Sequence, residues 1–180
     1  MIEAFQEQRT LVGERVRLVP LGPEHFAGEW AMLQDEESRR LTGTHQTFTE
    51  KQIREWLTKV RRATDRADWA ILHDGAFVGE VVLNDLDEDN RSAGFRIVLA
   101  AHAIGRGYGT EATLLAVRYA FEDAGLHRVW LEVFEHNPRA RHVYEKCGFR
   151  LEGEHRDALL WDGEWHNTHT MAILSTDRMS

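Results

Sequence analysis

The sequence has little of what marks secreted, disulfide-rich or membrane-spanning proteins. It contains a single cysteine, Cys147, so no internal disulfide can form, and a lone thiol fits the reducing cytoplasm. No apolar run approaches the roughly 18 residues that a membrane-spanning helix requires. The first ten residues, MIEAFQEQRT, are too polar for a secretory signal. We therefore expect a cytoplasmic protein without a membrane partner.

The sequence also has fewer basic than acidic residues. The chain has 22 Lys and Arg against 30 Asp and Glu, which gives a formal net charge of −8. Such a surface repels nucleic acid, so no nucleic-acid partner is expected, and it suits a cationic or amine-bearing substrate better. With 180 residues, 42% of them hydrophobic, the chain is predicted to form one domain over 1–180, its core extending from about 15 to 175.

Periodicity and turn residues predict an alternation of strands and helices. The pattern RVRLVPL (15–21) predicts a first strand, and Pro23 opens a helix that extends to about Arg40. Thr49 and Gln52 form a capping box for a second helix. The later elements are two strands around the turn HDGA, a strand over 93–99, a helix over about 110–124, a strand over 128–134, a helix over about 138–146, and a hairpin with Asp-Gly at its turn. This order predicts a mixed sheet of the α/β or α+β class in a single domain.

Three glycines alternate in AIGRGYGTEA (103–112), just before a predicted helix. Backbone N–H groups at a helix N-terminus lack internal partners, and the helix dipole there favours anions. Glycine permits positive φ and a close approach of the backbone to a ligand. Gly105, Gly107 and Gly109 therefore indicate a pyrophosphate site, although a glycine-rich turn that merely enters a helix explains this stretch alone as well.

The same stretch also fits a second ligand. GYGTEA (107–112) matches the dinucleotide-binding pattern G-x-G-x-x-A, and Glu132 lies 20 residues beyond Ala112, where a ribose-binding acid is expected. In a dinucleotide fold, however, the loop follows its strand directly, whereas AAHAIGR separates Leu99 from Gly107. Only 48 residues follow Glu132, too few to complete a doubly wound sheet. A nicotinamide-dependent oxidoreductase is therefore the weaker alternative.

The segment NPRARHVYEKCGF (137–149) decides between the two ligands. Asn137 and Tyr144 are seven residues apart on one predicted helix, so they face the same way, about 10 Å apart. Together with the glycine loop, the strand AGFRIVL (93–99) and the final hairpin, this segment resembles the GNAT superfamily of acetyl-CoA-dependent N-acetyltransferases. The resemblance covers nearly the whole chain and is strongest to the branch of ribosomal-protein N-terminal and spermidine N-acetyltransferases.

This resemblance implies the fold and the acetyl donor. GNAT proteins have a mostly antiparallel central sheet, splayed at the acetyl-CoA site and flanked by helices, and relatives suggest a homodimer. Asn137 is expected to bind the pantetheine arm or to hold the start of its helix. The other implied donor contacts are Ile97, Val98 and Leu99 on the pantetheine arm and Gly105, Arg106, Gly107, Tyr108, Gly109 and Thr110 at the pyrophosphate.

The resemblance further implies that Tyr144 lies at the thioester and acts as the general acid. With ordinary pKa values of about 8.5 for a thiol and about 10 for tyrosine, protonation of the leaving thiolate is uphill by roughly 2 kcal/mol. The general base has no obvious position, because Ala93 and Gly94 stand where relatives often carry a carboxylate. Glu80 and Asp85, on or just after the preceding strand, are the nearest candidates.

The acceptor stays open between a peptide N-terminal α-amine and a small-molecule amine such as a polyamine. A non-catalytic coenzyme A-binding sensor is the alternative from a different class. His166 and His169 are three apart on a predicted strand and point to opposite faces, so no metal site is expected. Cys147 is interpreted as a small core residue.

Overall fold

An open eight-stranded sheet organises the chain, and the computed structural model describes residues 1–177. The strands are β1 (Leu11–Val12), β2 (Arg17–Pro20), β3 (Ala67–His73), β4 (Ala76–Asp87), β5 (Ser92–Leu99), β6 (Arg128–Phe134), β7 (Arg150–Trp161) and β8 (Glu164–Leu174). The α-helices are α1 (Glu3–Gln6), α2 (Phe26–Gln34), α3 (Glu36–Thr42), α4 (Glu50–Val60), α5 (Tyr108–Glu122) and α6 (Pro138–Lys146).

The strand order in the sheet is β1-β2-β3-β4-β5-β6-β8-β7. All neighbouring strands are antiparallel except β5 and β6, which are parallel. A parallel pair needs a long crossover connection, and α5 supplies it here. The one parallel pair therefore lies in the middle of a mostly antiparallel sheet, with the glycine loop directly between β5 and α5.

Helices cover the sheet on both faces. On one face, Ala112, Ala116 and Tyr119 of α5 pack with Phe95 and other buried residues of the strands. On the opposite face, α4 buries Ile53, Leu57 and Val60 against Ala70 of β3, and Phe26 and Trp30 of α2 join that cluster. No helix within residues 1–177 combines the length and the apolar content that crossing a membrane requires.

Local sequence signals account for the clearest helix boundaries. The Thr49 side chain accepts a hydrogen bond from the Gln52 amide, while the Gln52 side chain accepts one from the Thr49 amide. This reciprocal capping box satisfies two donors that helix geometry leaves free. Asn137 caps α6 through its side chain alone, which accepts from the Ala140 amide, and Pro138 takes the first helical position.

The predicted helix from Pro23 to Arg40 is wrong as a single element. It is a 3₁₀ turn (Pro23–His25) followed by two α-helices that meet at Asp35, whose extended backbone (φ −73°, ψ 118°) ends α2. The Asp35 carboxylate then accepts from the Ser38 amide at 2.8 Å and starts α3. β4 extends into the acidic stretch 85–91 and ends at Asp87. The final hairpin, with the predicted Asp-Gly turn, consists of β7 and β8 and begins at Arg150.

Candidate active site

The site begins where β5 and β6 part. The two strands pair only at Ser92, Ala93 and Gly94 of β5, and β6 diverges beyond Trp130. The other edge of β5 stays paired with β4 as far as Leu99. Backbone groups on the β6 side of β5 after Gly94 therefore have no sheet partner on β6, and a ligand can take their place.

Two cavities lie along this gap. The larger has a volume of about 330 Å³ and reaches the glycine loop. The smaller, of about 230 Å³, opens between β4, β5 and β6. Both are lined by Ile97, Val98, Asn137 and Tyr144, so they meet at the point where the strands part.

The glycine loop closes one end of the larger cavity. Gly105 (φ +80°) and Gly107 (φ +82°) adopt the left-handed conformation, and Gly107 is the N-cap residue of α5. The first-turn N–H groups of α5 have no helical acceptors, so they remain available to an anion. The loop residues that line this cavity are Ile104, Gly105, Gly107, Gly109 and Thr110.

Two of the predicted pyrophosphate residues face elsewhere. Tyr108 is buried and stacks on His73, with ring centroids 4.6 Å apart. The exposed Arg106 presents its carbonyl oxygen to Arg15, which donates to it from Nη1 at 2.9 Å. Neither Tyr108 nor Arg106 lines the larger cavity.

The larger cavity suits a long ligand with an anionic end and an apolar arm. Its β5 wall is Ile97, Val98 and Leu99, all predicted pantetheine contacts, and Val143 of α6 adds apolar surface. Arg139 and Lys146 also line it and contribute positive charge. Helix-terminal N–H groups, an unpaired strand edge and flanking cations together fit coenzyme A.

Asn137 connects the cavities to α6. Its side-chain oxygen accepts from the Ala140 amide at 3.3 Å and caps the helix. It also lines both cavities. Because Asn137 fixes the first turn of α6, it also fixes the direction from which Tyr144, two turns later, enters the gap.

Tyr144 lies between the two cavities and is 7% exposed. Its ring packs edge-on against Phe95, with centroids 6.1 Å apart, and at a tilt against Phe149. Burial raises the pKa of the Tyr144 hydroxyl, and the nearby Cys147 adds to the effect. The hydroxyl is therefore protonated throughout the physiological range and has a proton to give.

Cys147 is a buried core residue. Its thiol approaches the Thr110 carbonyl oxygen at 3.8 Å. Burial raises the pKa of this thiol to about 11, so it is protonated at neutral pH and is a poor nucleophile.

Asp85 is the predicted base candidate that lines the smaller cavity. It lies at an irregularity between β4 and β5, with φ +48°, and its side chain is exposed. Gly94 keeps this corner open, because a Cβ atom there would lie 3.0 Å from Asn84 Oδ1 and 3.3 Å from Trp130 Cζ2. Glu132 of β6 lines the same cavity.

Glu80, the other base candidate, does not line either cavity. It faces α2, where it lies beside the buried Glu29, and a protonated Glu29 carboxyl group would donate a hydrogen bond to it. Burial is the main reason that the pKa of Glu29 is raised well above its usual range. The charge of Glu80 and this hydrogen bond raise it further. Burial also raises the pKa of Glu80, while Arg96 opposes that shift. The pair therefore shares a proton within the α2 face of the sheet.

Sequence reasoning missed two groups of residues around the site. Leu41 and Thr42 of α3 line both cavities. The sequence does contain a signal for the start of this helix, because Asp35 is a capping residue followed by two acids. Arg15 and Glu111 meet beside the glycine loop although 96 residues separate them. No local sequence pattern indicates the contact between Arg15 and Glu111.

A glycine loop at a helix N-terminus, a splayed parallel pair and a buried tyrosine between two cavities define an acyl-coenzyme A transferase site. The acetyltransferase (GNAT) domain family matches residues 15–150. The chain belongs to this family. Membership confirms the predicted GNAT acetyltransferase family. The likeness to solved structures confirms the predicted fold.

Individual relatives match parts of the chain. Spermidine N(1)-acetyltransferase from Vibrio cholerae is 33% identical over 99 residues, which are 55% of this chain and 57% of that enzyme. [Ribosomal protein uS5]-alanine N-acetyltransferase from Escherichia coli is 35% identical over 72 residues, 40% of this chain and 37% of that enzyme. These matches thus span less than two thirds of the length of either curated relative.

The fold likeness extends further than these sequence matches. The crystal structure of spermidine N-acetyltransferase from Vibrio cholerae in complex with CoA and spermine has a TM-score of 0.86 to this chain, at 22% identity. The superposition covers 91% of this chain and 98% of that one. At this identity the likeness establishes a common fold.

Proposed function

We propose that this protein transfers the acetyl group of acetyl-CoA to a primary amine of a polycation, with Tyr144 as general acid. The observation that carries the proposal is the position of Tyr144 where the two cavities meet. One cavity has the anion-binding loop and apolar wall that suit the donor. The other has carboxylates on two strands, which suit a cationic acceptor.

Tyr144 gives its proton to the sulfur as the C–S bond of the thioester breaks and the new N–C bond forms. Burial in the apolar surroundings of Phe95 and Phe149 keeps the hydroxyl protonated. The same burial makes the transfer costlier than the roughly 2 kcal/mol of an ordinary tyrosine and thiol. Proton release is nevertheless useful because it prevents the thiolate from attacking the amide product. Tyr144 then regains a proton from solvent.

Asp85 is our choice as general base, acting directly or through one water. Its carboxylate lines the acceptor cavity with Tyr144, whereas Glu80 is hydrogen-bonded to Glu29 and lines neither cavity. The base takes the proton that the ammonium form must lose before its nitrogen can attack, and the proton that the nitrogen then loses as the N–C bond forms passes to solvent. A polyamine amine, with a pKa near 10, is about 99.9% protonated at pH 7 and needs this help.

The acceptor cavity favours an amine with a second positive charge. Asp85 of β4 and Glu132 of β6 stand on different walls, so one carboxylate can take the reacting proton while the other holds a distant ammonium. Arg96 also lines the cavity and offsets part of this negative charge. The net charge of −8 and the printed substrate of the spermidine acetyltransferase relative support the same class.

An acceptor screen that follows release of free thiol from acetyl-CoA tests this function. We expect spermidine or spermine to have a kcat/KM at least about tenfold above that of butylamine, which lacks the second cation. Better turnover of a peptide with an N-terminal alanine would favour the protein N-terminal class instead. Binding of acetyl-CoA without turnover of any amine would favour the sensor.

The base assignment has its own test. Asp85→Asn should lower kcat/KM for spermidine about 100-fold at pH 7 and much less at pH 9.5, where more amine is already neutral. The matched control is Glu132→Gln, which keeps the base and should mainly raise the KM for spermidine. Equal losses for Asp85→Asn at both pH values would contradict the assignment.

A further inference from the structure

The turn between β1 and β2 is fastened to the glycine loop. Glu111, in the first turn of α5, accepts hydrogen bonds from the backbone amides of Arg15 at 2.9 Å and Val16 at 3.3 Å. The Arg15 guanidinium lies between Glu111 and the glycine loop. Its Nε is 3.5 Å from Glu111 Oε2, and its Nη1 donates to the Arg106 carbonyl at 2.9 Å. One arginine therefore connects the turn, the helix and the loop.

The Arg15 to Arg106 hydrogen bond sets the direction of a peptide plane. In a planar trans peptide, the C=O of one residue and the N–H of the next point in opposite directions. The Arg106 carbonyl points towards Arg15, so the Gly107 N–H points away from it. Gly107 lines the larger cavity and Arg15 does not. The N–H is thereby directed to the cavity side of the loop.

Arg15 also balances a charge that would oppose an anion. Glu111 is acidic and lies in the first turn of the helix whose N-terminus forms the anion site. Its carboxylate is turned towards Arg15 and the β1–β2 turn, and the guanidinium neutralises it. A guanidinium on the Arg106 carbonyl also polarises that peptide and makes its N–H a stronger donor.

We propose that Arg15 is a positioning residue that orients the Gly107 N–H towards the pyrophosphate of the acetyl donor. This inference rests on the proposed function, since it assumes that acetyl-CoA occupies the larger cavity. Arg15 acts through the Arg106–Gly107 peptide and makes no contact with the donor. Its role therefore concerns binding of the donor and leaves the chemical step to Tyr144.

The test compares Arg15→Met with Arg15→Lys and with Arg17→Met. Arg17 is an exposed arginine two residues further along the same hairpin and serves as the matched control. We expect Arg15→Met to raise the KM and the Kd for acetyl-CoA about tenfold, with kcat within about twofold of wild type. Arg15→Lys should recover part of this loss, and Arg17→Met should behave as wild type.

Donor analogues separate positioning from the other roles that Arg15 could have. Acetyl-pantetheine lacks the pyrophosphate, so Arg15→Met should use it as well as wild type does. An equal loss with acetyl-pantetheine would mean a general structural defect and would overturn the proposal. With 3′-dephospho-acetyl-CoA the tenfold loss should persist. Its disappearance would mean that Arg15 contacts the 3′-phosphate directly, which also overturns the proposal.

The wild-type protein distinguishes failure of this inference from failure of the proposed function. If wild type does not bind acetyl-CoA in a calorimetric titration, the proposed function fails. If wild type binds acetyl-CoA and Arg15→Met binds it equally well, only the positioning role fails. A thermal scan of each variant checks that the fold is retained, as we expect for an arginine whose side chain is about half exposed.

Discussion

Burial of Tyr144 has two opposite effects on its suitability as a general acid. Phe95 and Phe149 enclose its ring, and burial raises the pKa of its hydroxyl. A raised pKa keeps the proton available at every physiological pH, but it also makes the hydroxyl a weaker acid. In the proposed mechanism, catalysis therefore depends on placing the proton beside the leaving sulfur more than on the acidity of the hydroxyl.

Removing the Tyr144 hydroxyl should impair the chemical step alone. Tyr144→Phe keeps the ring and its packing against Phe95, so we expect kcat to fall about 100-fold, the low end for general acid catalysis. The Kd for acetyl-CoA should change less than about twofold. Steady-state kinetics and a calorimetric titration measure the two quantities. Normal turnover by this variant would remove Tyr144 from its proposed role.

Gly107 is constrained by conformation and by a neighbour. At φ +82° a side chain is strained, and a Cβ atom would lie 2.6 Å from Arg15 Nη2. Gly107→Ala should therefore both lower Tm and weaken acetyl-CoA binding at least about tenfold, because it displaces Arg15. Gly105→Ala is the control for stability: it has the same strain at φ +80°, but no atom lies within 4 Å of its Cβ position. An equal fall in Tm for both variants would show that the Arg15 side chain moves aside without destabilising the fold.

At the scale of single elements, α2 and β4 meet through a proton shared by Glu29 and Glu80. Burial and the charge of Glu80 raise the pKa of Glu29, so the folded state holds a proton that the unfolded chain releases above about pH 4.3. The free energy of unfolding should therefore fall as pH rises, by up to about 1.4 kcal/mol per pH unit, until the folded pKa is passed. The stabilisation of this pair is complete only at low pH.

Glu29→Gln should remove that pH dependence. The amide donates to Glu80 without taking up a proton, so Tm at pH 8 should rise by about 2–4 °C for each kcal/mol recovered. Near pH 5 the variant and wild type should differ little. Thermal scans between pH 5 and 8 measure the effect, with the exposed Glu55→Gln as control. An unchanged pH slope would mean that Glu29 is ionised in the folded protein.

Elements with local signals were predictable from the sequence, and those set by distant contacts were not. The capping box at Thr49 and the Asn137 cap predicted α4 and α6, because both signals act within one helical turn. The break at Asp35 was missed because no glycine or proline marks it, although Asp35 is itself a capping residue. The shared family made the splayed strands and the glycine loop predictable as well.

The candidate site shows the same limit. Sequence reasoning named two carboxylates as bases, and only the sheet register separates them: Glu80 pairs with Val98 on the α2 face, while Asp85 lies at the irregularity before Asp87. The turn that brings Arg15 to Glu111 depends on how β1 and β2 join the sheet. Register and long-range packing of this kind arise from the whole core, and no single segment encodes them.

At the scale of the whole molecule, the proposed reaction requires one acidic protein to receive two substrates of opposite charge. In the proposed reaction, the net charge of −8 attracts the polycation over a distance and repels the polyanionic donor, which would depend on short-range contacts at the glycine loop. Salt screens the long-range part over about 10 Å at 0.1 M and affects contacts within a cavity much less. The two substrates should therefore respond differently to ionic strength.

Raising the ionic strength from about 0.05 M to about 0.5 M should lower kcat/KM for spermidine roughly tenfold, because screening weakens its attraction to Asp85, Glu132 and the acidic surface. The kcat/KM for acetyl-CoA should change by less than about threefold over the same range. Butylamine has one charge and should lose only about twofold. Initial rates at limiting concentrations of each substrate provide the measurement. If spermidine and butylamine lost activity equally, the carboxylates would not be selecting a second cation, and the acceptor would be a simple amine or a peptide N-terminus.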